Sequence, residues 1–503
     1  MDKVKTEQIK SYVVVGGGTA GWISAAVLAR ALTNTDVKIT VVESPHVPTI
    51  GVGEATIPSI VDLLEYLRIP LKEFILATNS TFKLGIKFID WKEKGHHYWH
   101  PFGFVGNKIE GKLFYQHWLK HQFENPQFEF TDFSPAIALA KQNKFYIPDP
   151  KVKNNLSSST YALHFDASLV AKYLADYCKN KGVNLIKGHI QATNLNENGQ
   201  VDKLILADGQ AISGDFFIDC SGQQALIMHK ALRVGYENWQ HYLPVNKAVT
   251  AQTAIEHPTP PYTQATAHEH GWRWKIPLQN RIGNGYVYCS DYCSDDAALA
   301  LLKSNSAPFI TEPRFLSFTT GKRDKIWYKN CLAVGLSSGF LEPLESTSIY
   351  LIMKTMLNFV QNMPNKKLYQ APIDEFNRLI DDEYIAIRDF IVLHYCTTKR
   401  TDSPFWQMWQ HLEIPKTLQT KIELFTCQGK LYENQYDLFS ADSWYSVLEG
   451  MGVRPNSYDP LIDASSFNQI EQAFRQSISA LSNNVAKTLT HDEFINRLIA
   501  AKE

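Results

Sequence analysis

A short apolar run, Tyr12-Val13-Val14-Val15, feeds directly into Gly16-Gly17-Gly18-Thr19-Ala20-Gly21, and nothing else in the chain restricts its fold as much. The run is β-branched, as a buried parallel strand should be. Residues 22–32 are rich in alanine and leucine and are expected to form a helix. Gly16, Gly18 and Gly21 supply the GxGxxG spacing: a tight turn, room for a pyrophosphate, and close contact of helix with strand. The phosphates would sit at the helix N-terminus, where free amides and the helix dipole favour an anion. A second strand over residues 37–42 ends at Glu43, about 20 residues on, where a carboxylate can hold ribose hydroxyls. Strand, loop, helix, strand and acid in that order make a dinucleotide site, with a ligand-free glycine turn as the minor alternative.

Composition narrows what kind of protein carries this loop. With 503 residues, 44% hydrophobic and 20% charged, the chain has the make-up of a globular protein, which argues against disorder. Fifty basic against 51 acidic side chains leave a net charge of -1 and no electrostatic footprint for nucleic acid or an anionic membrane. No apolar run approaches the roughly 18 residues of a membrane span, and the first residues do not read as a signal peptide. Seven scattered cysteines, with no CxxC, indicate neither a disulfide framework nor a zinc site. The expectation is a cytoplasmic enzyme with no metal.

Two further strand ends bear on which dinucleotide is bound. A helix over 168–181 is followed by strand-like pieces at 183–186, 189–193 and 201–206, with turns at Gly199 and Asp208-Gly209. Phe216-Phe217-Ile218 then leads into Asp219-Cys220-Ser221-Gly222. A third strand, 331–334, ends at Gly335 and passes through Ser337-Ser338-Gly339 toward a helix beginning near Ser346. Together with the first loop these resemble the FAD-binding pattern of aromatic-hydroxylase flavoproteins and favour FAD over NAD. The fold class expected is α/β (α+β overall): a Rossmann-like FAD-binding domain with a mostly helical substrate-binding subdomain. We place the FAD module at 1–385, with substrate-site segments interleaved at about 80–150 and 240–320, and the helical subdomain at 386–503.

Four other segments invite a reading. Residues 56–67 suggest a scaffolding helix with Ile60, Leu63, Leu64 and Leu67 on one face and Pro58 in its first turn. The loop before it, Thr49-Ile50-Gly51-Val52-Gly53-Glu54-Ala55, has two glycines that suit either a close approach to a cofactor or a simple turn. Residues 81–88 alternate strictly, so one strand is expected with Phe82, Leu84, Ile86 and Phe88 buried and Lys83 and Lys87 solvated. Trp272-Arg273-Trp274-Lys275-Ile276-Pro277 puts a wall of apolar side chains on one strand face. Around Glu345, Ser346 and Thr347 a helix start is expected, with capping as the plain function and anion binding as the other.

GGGTAG, GEATIP, TFKLGIKF, WRWKIP and GFLEPLEST, in this order, resemble the flavin-dependent halogenases of the tryptophan halogenase family across nearly the whole chain. Flavin hydroxylases usually carry Asp where this chain has Leu336. The resemblance implies FAD used as FADH2, O2 and chloride or bromide as co-substrates, and a separate NAD(P)H-dependent flavin reductase. In that scheme a flavin hydroperoxide oxidises the halide to hypohalous acid, which passes through the protein to a lysine beside the aromatic substrate. By the same resemblance Lys83 is that lysine and Glu345 its carboxylate partner, while Thr347 and Ser348 bind halide. Flavin contacts fall on Gly16, Gly18, Thr19, Ala20, Gly21, Glu43, Ala55, Gly335 and Leu336, and Trp272 and Trp274 shield the flavin. It also reverses the solvated reading of Lys83.

His100-Pro101-Phe102 resembles the aromatic stretch that stacks on substrate, and Trp444 falls where an indole-stacking tryptophan is expected. Relatives that bind free tryptophan clamp its amino and carboxylate groups with a tyrosine pair and a glutamate. By spacing from Trp444 this chain offers Tyr432, then Glu433, and Phe439 near the glutamate position. The clamp is incomplete, which favours indole or a simple indole derivative over free tryptophan. A flavin-dependent aromatic monooxygenase and a non-catalytic flavin or ligand carrier are the other functions in play. A homodimer is an assembly open to the protein.

Overall fold

The computed structural model describes residues 8–46, 53–149, 151–152, 154–432 and 437–500. The first strand, Ser11–Val15, lies inside a six-stranded sheet, flanked by Phe216–Asp219 on one side and Lys38–Glu43 on the other, both parallel to it. Cys331–Ala333 continues the sheet beyond Phe216–Asp219, and Asn184–Lys187 continues it beyond Lys38–Glu43. The three glycine-bearing strand ends, distant in sequence, therefore come to one edge. Ligands in parallel sheets bind at such carboxyl ends. The helix Thr19–Ala31, buried along most of its length, packs between Ala167–Asn180 and Ser348–Gln361.

The glycines have separate steric reasons. Gly16 has φ +117°, and a Cβ there would lie 2.3 Å from the Cys220 carbonyl oxygen. A Cβ on Gly21 would lie 1.8 Å from the Gly16 carbonyl oxygen, so the helix can approach the strand only with hydrogen at this position. Around Gly18 a Cβ would meet no protein atom within 4 Å; the space it faces is open for a ligand.

A second, seven-stranded sheet runs in the order Arg314–Ser317, Lys247–Ala254, Arg281–Tyr288, Gly271–Pro277, Thr263–His268, Gly85–Ile89, His97–Pro101. A small three-stranded sheet, Gly53–Ala55, Ala162–Asp166 and Thr81–Lys83, bridges the two. The alternating segment is thus two strands, not one. Thr81–Lys83 pairs with Ala162–Asp166, the chain changes sheet at Leu84, and Gly85–Ile89 pairs with Thr263–His268 and His97–Pro101. Lys83 is fully buried, against the solvated reading that alternation gave, because both faces of this crossover are covered. Lys87 is half-buried, its ammonium 5.4 Å from the Trp99 ring centroid.

The C-terminal part is helical as expected, with Gln370–Cys396 running through residue 385, followed by Pro404–Met408, Lys416–Gln428, Ala441–Gly450, Phe467–Ala486 and His491–Ala500. The last helix is stitched to the bridge sheet by His491, whose Nε2 accepts the Phe82 amide at 3.1 Å. Nδ1 then carries the hydrogen and donates to the Thr259 carbonyl at 3.0 Å. Among the described residues, no helix is long and apolar enough to cross a membrane.

Replacing Gly21 by Ala is expected to destabilise the protein by about 1–3 kcal/mol through overpacking, whereas Gly18→Ala changes stability by less than about 0.5 kcal/mol. Thermal melts without added nucleotide check both. Retained dinucleotide should fall in both variants.

Candidate active site

A cavity of ≈ 440 Å³ opens at the convergent strand ends. Gly16, Gly18, Thr19, Ala20, Glu43, Ala55, Gly335 and Leu336 all line it. Gly21 does not line it; that glycine serves the helix contact. The Gly53–Ala55 strand lies inside the described residues, while Thr49 to Val52 of its loop lie outside them. Open space at Gly18, an acid at the ribose position and a volume suited to a small ligand fit FAD. Gly335 has φ +72°, and a Cβ there would lie 2.8 Å from the Ala20 Cβ, so only glycine keeps the third strand end against the loop.

The far end of the cavity is walled by Trp272, Trp274 and Ile276 from the Gly271–Pro277 strand. Room for the Trp274 ring comes from Gly285 opposite it, where a Cβ would lie 2.0 Å from the indole. Leu344, Ser346 and Ser348 complete this end. The helix begins at Ser348, two residues later than expected, because Ser346 takes a left-handed turn with φ +60°. Thr347 is the N-cap residue but makes no cap hydrogen bond, and its buried Oγ1 has no partner among the described residues. A free hydroxyl beside a helix start on the cavity edge suits an anion better than a plain cap.

Lys83 lies behind this turn. Its Nζ donates to the Thr56 carbonyl at 3.0 Å and to Ser346 Oγ at 2.9 Å, and sits 5.1 Å from the Phe102 ring centroid. Ser346 thus lines the cavity on one side and holds Lys83 on the other. Burial brings the Lys83 amine down to about 7, with Glu345 opposing the shift. Glu345 is fully buried. His100 Nδ1 donates to its Oε2 at 2.8 Å, and His394 Nε2 lies 2.8 Å from Oε1. Burial works to raise the Glu345 carboxyl, but His100 and then His394 outweigh it and hold it at about 2. Tyr98 completes the chain, its hydroxyl 2.6 Å from His394 Nδ1. A carboxylate only accepts, so His394 carries hydrogen on Nε2 and Tyr98 donates to Nδ1.

The rings meet beside this pair. His100 sits 5.3 Å from Phe390 and 5.9 Å from Phe439, measured between centroids. Phe439 stacks on Phe390 at 3.8 Å, and Trp444 meets Phe390 edge-on at 4.9 Å. Gly85 allows the approach of the His97–Pro101 strand, since a Cβ there would lie 2.5 Å from the His100 carbonyl oxygen. Pro101 and Phe102 are buried. Tyr432 is 70% exposed, and Glu433 lies outside the described residues. Lys83, Glu345, His100 and Phe102 are therefore brought together, with Trp444 reached through Phe390. Sequence reasoning placed Ser346 only at a helix start and assigned no role to His394 or Tyr98. His394 had no local signal, being one of 16 histidines and 49 residues from Glu345.

The tryptophan halogenase family model matches residues 11–466. The chain is 33% identical over 496 residues to the tryptophan 6-halogenase ThaL of Streptomyces albogriseolus, covering 90% of this chain and 92% of that one. It is 31% identical over 493 residues to the tryptophan 7-halogenase RebH of Lentzea aerocolonigenes, covering 90% and 91%. Among solved structures, the flavin-dependent halogenase BrvH from Brevundimonas sp. BAL3 superposes with a TM-score of 0.94 at 38% identity, over 98% of this chain and 99% of that one.

Lys83 also makes a stability prediction. Its folded-state pKa lies below the unfolded value, so between about 7 and 10.5 the unfolded chain binds more protons and stability rises with pH. Lys83→Met removes that cost. It should stabilise the fold at pH 7 by up to a few kcal/mol, an advantage that shrinks toward pH 10. Melting curves of both proteins across this range check the sign.

Proposed function

The chain belongs to the tryptophan halogenase family, flavin-dependent enzymes that work with FADH2, O2 and halide, and from that premise we propose that it halogenates indole or a simple indole derivative. The glycine loop, Glu43 and the Gly335 turn would hold FAD, which in its reduced form would supply, with O2, the oxidising power for converting chloride or bromide to hypohalous acid. Thr347 and Ser348 hold the halide, through the free hydroxyl and the helix start. Trp272 and Trp274 keep the organic substrate away from the flavin, so that ring oxygenation does not compete.

Lys83 receives the oxidant. With its pKa at about 7, an appreciable share is neutral amine at working pH, able to hydrogen-bond hypohalous acid or to react with it as a haloamine. Glu345, ionised throughout that range, orients the oxidant and stabilises the positive charge that develops on the ring. It also stands ready for the ring proton, although a carboxylate held at about 2 is a weak base, so electrostatic stabilisation is its larger contribution. His100, Phe102 and Trp444 pack on the substrate. A separate flavin reductase provides FADH2, as flavin-dependent halogenases typically require; we propose an NAD(P)H-dependent enzyme sharing a cytoplasmic location with this one.

The choice of indole over free tryptophan is carried by Phe439, which is buried and stacked on Phe390 where the resemblance expects a glutamate. An apolar ring there supplies neither the negative charge nor the hydrogen-bond acceptors that a glutamate would give an ammonium group. The second reading, free tryptophan, is favoured by the names of the relatives.

The test supplies purified protein with FAD, a flavin reductase, NADH, air and either bromide or chloride. Halogenated product should show the halogen isotope pattern, require halide, and fall at least about 100-fold in Lys83→Met. kcat/KM for indole should exceed that for free tryptophan by about tenfold or more, and the reverse order would select the second reading. Oxygenated product without halide would make the protein a monooxygenase.

A further inference from the structure

Glu342, three residues before Glu345, is a fully buried carboxyl that the reaction as described does not use. Its Oε2 accepts from Trp272 Nε1 at 3.2 Å and from the Tyr395 hydroxyl at 2.9 Å, while Oε1 has no partner among the described residues. Neighbouring residues of one helix thus face two acids of one turn: His394 lies against Glu345, and Tyr395 bonds Glu342. Pro343 and Leu344, between the acids, line the cavity. Trp91 packs the back of the arrangement, its ring 6.1 Å from Trp272, 5.1 Å from Tyr395 and 6.0 Å from His394. A carboxyl with one oxygen left bare in the core is a poor choice for stability alone.

We propose that Glu342 is a positioning residue for halogenation: through Trp272 Nε1 and the Tyr395 hydroxyl it pins the indole of Trp272 as the wall between the flavin cavity and the centre built on Lys83 and Glu345. An indole N–H can only donate, so the wall needs a buried acceptor to hold one ring orientation. Glu342 is that acceptor, and Tyr395 fixes it to the same helix that carries His394. The two compartments therefore share a rigid joint. Coupled turnover uses FADH2, O2, X− and H+ to give FAD, HOX and H2O, after which HOX and ArH give ArX and H2O. With the wall loose, substrate and water reach the flavin side, and FADH2 and O2 give FAD and H2O2 instead. The inference rests on the halogenase reading.

The experiment compares wild type, Glu342→Gln and Glu342→Leu in the reductase-coupled assay with bromide and indole, measuring halogenated product, NADH consumed and H2O2. Gln keeps the acceptor oxygen and should hold product per NADH within about twofold of wild type, as expected when the hydrogen bonds survive. Leu removes it and should lower product per NADH at least about fivefold, the lost equivalents appearing as H2O2. If the Leu variant does not fold, Glu342→Met, unbranched and apolar, takes its place. Unchanged coupling in the apolar variant overturns the proposal, and so does an equal loss in Gln and Leu. Absence of halogenated product in the wild type from both indole and free tryptophan would instead count against the halogenase reading itself.

Discussion

An ionised carboxylate kept inside a closed core is the constraint around which this molecule is arranged. Isolated, the Glu345 anion would be unaffordable there, and the usual outcome is protonation. Here His100 and His394 stand against its two oxygens, and Tyr98 fixes the tautomer of His394. The histidines arrive from different layers, His100 on the edge strand of the seven-stranded sheet and His394 near the end of the longest helix. Each layer must therefore be in register before the acid can be ionised. The amine of Lys83 obeys the opposite logic. Given only a carbonyl and a hydroxyl to donate to, it is driven toward its neutral form.

One piece of backbone borders both those two groups and the cofactor cavity. The segment from Glu342 to Ser348 presents Leu344, Ser346 and Ser348 to the cavity and Glu345 to the core behind. Ser346 achieves this by adopting a left-handed conformation, unfavourable for a side chain with a Cβ and sustained by the surrounding packing. The cofactor cavity and the buried Lys83 and Glu345 are thus on two faces of one turn.

Much of the fold was legible because it rests on local patterns. The glycine spacing, the β-branched strands and the helical C-terminal part follow from short-range sterics and periodicity. Family resemblance named Lys83 and Glu345, but periodicity misjudged Lys83: alternation assumes one sheet with one wet face, whereas the chain changes sheets at Leu84 and is covered on both sides. Ser346, His394 and Tyr98 were illegible for a different reason. Their part depends on a meeting of distant segments, and neither residue type nor spacing marks it.

The hydrogen bond from Phe82 to His491 joins residues 409 positions apart, on the strand that carries Lys83. A ribosome must release every residue through 491 before that strand acquires this partner. Loop closure over such a separation also comes late in folding, since its entropy cost has to be met before the contact rewards it. The buried surroundings of Lys83 and Glu345 are consequently among the last parts of the molecule to be completed, and a nascent or truncated chain that has already formed the parallel sheet lacks them.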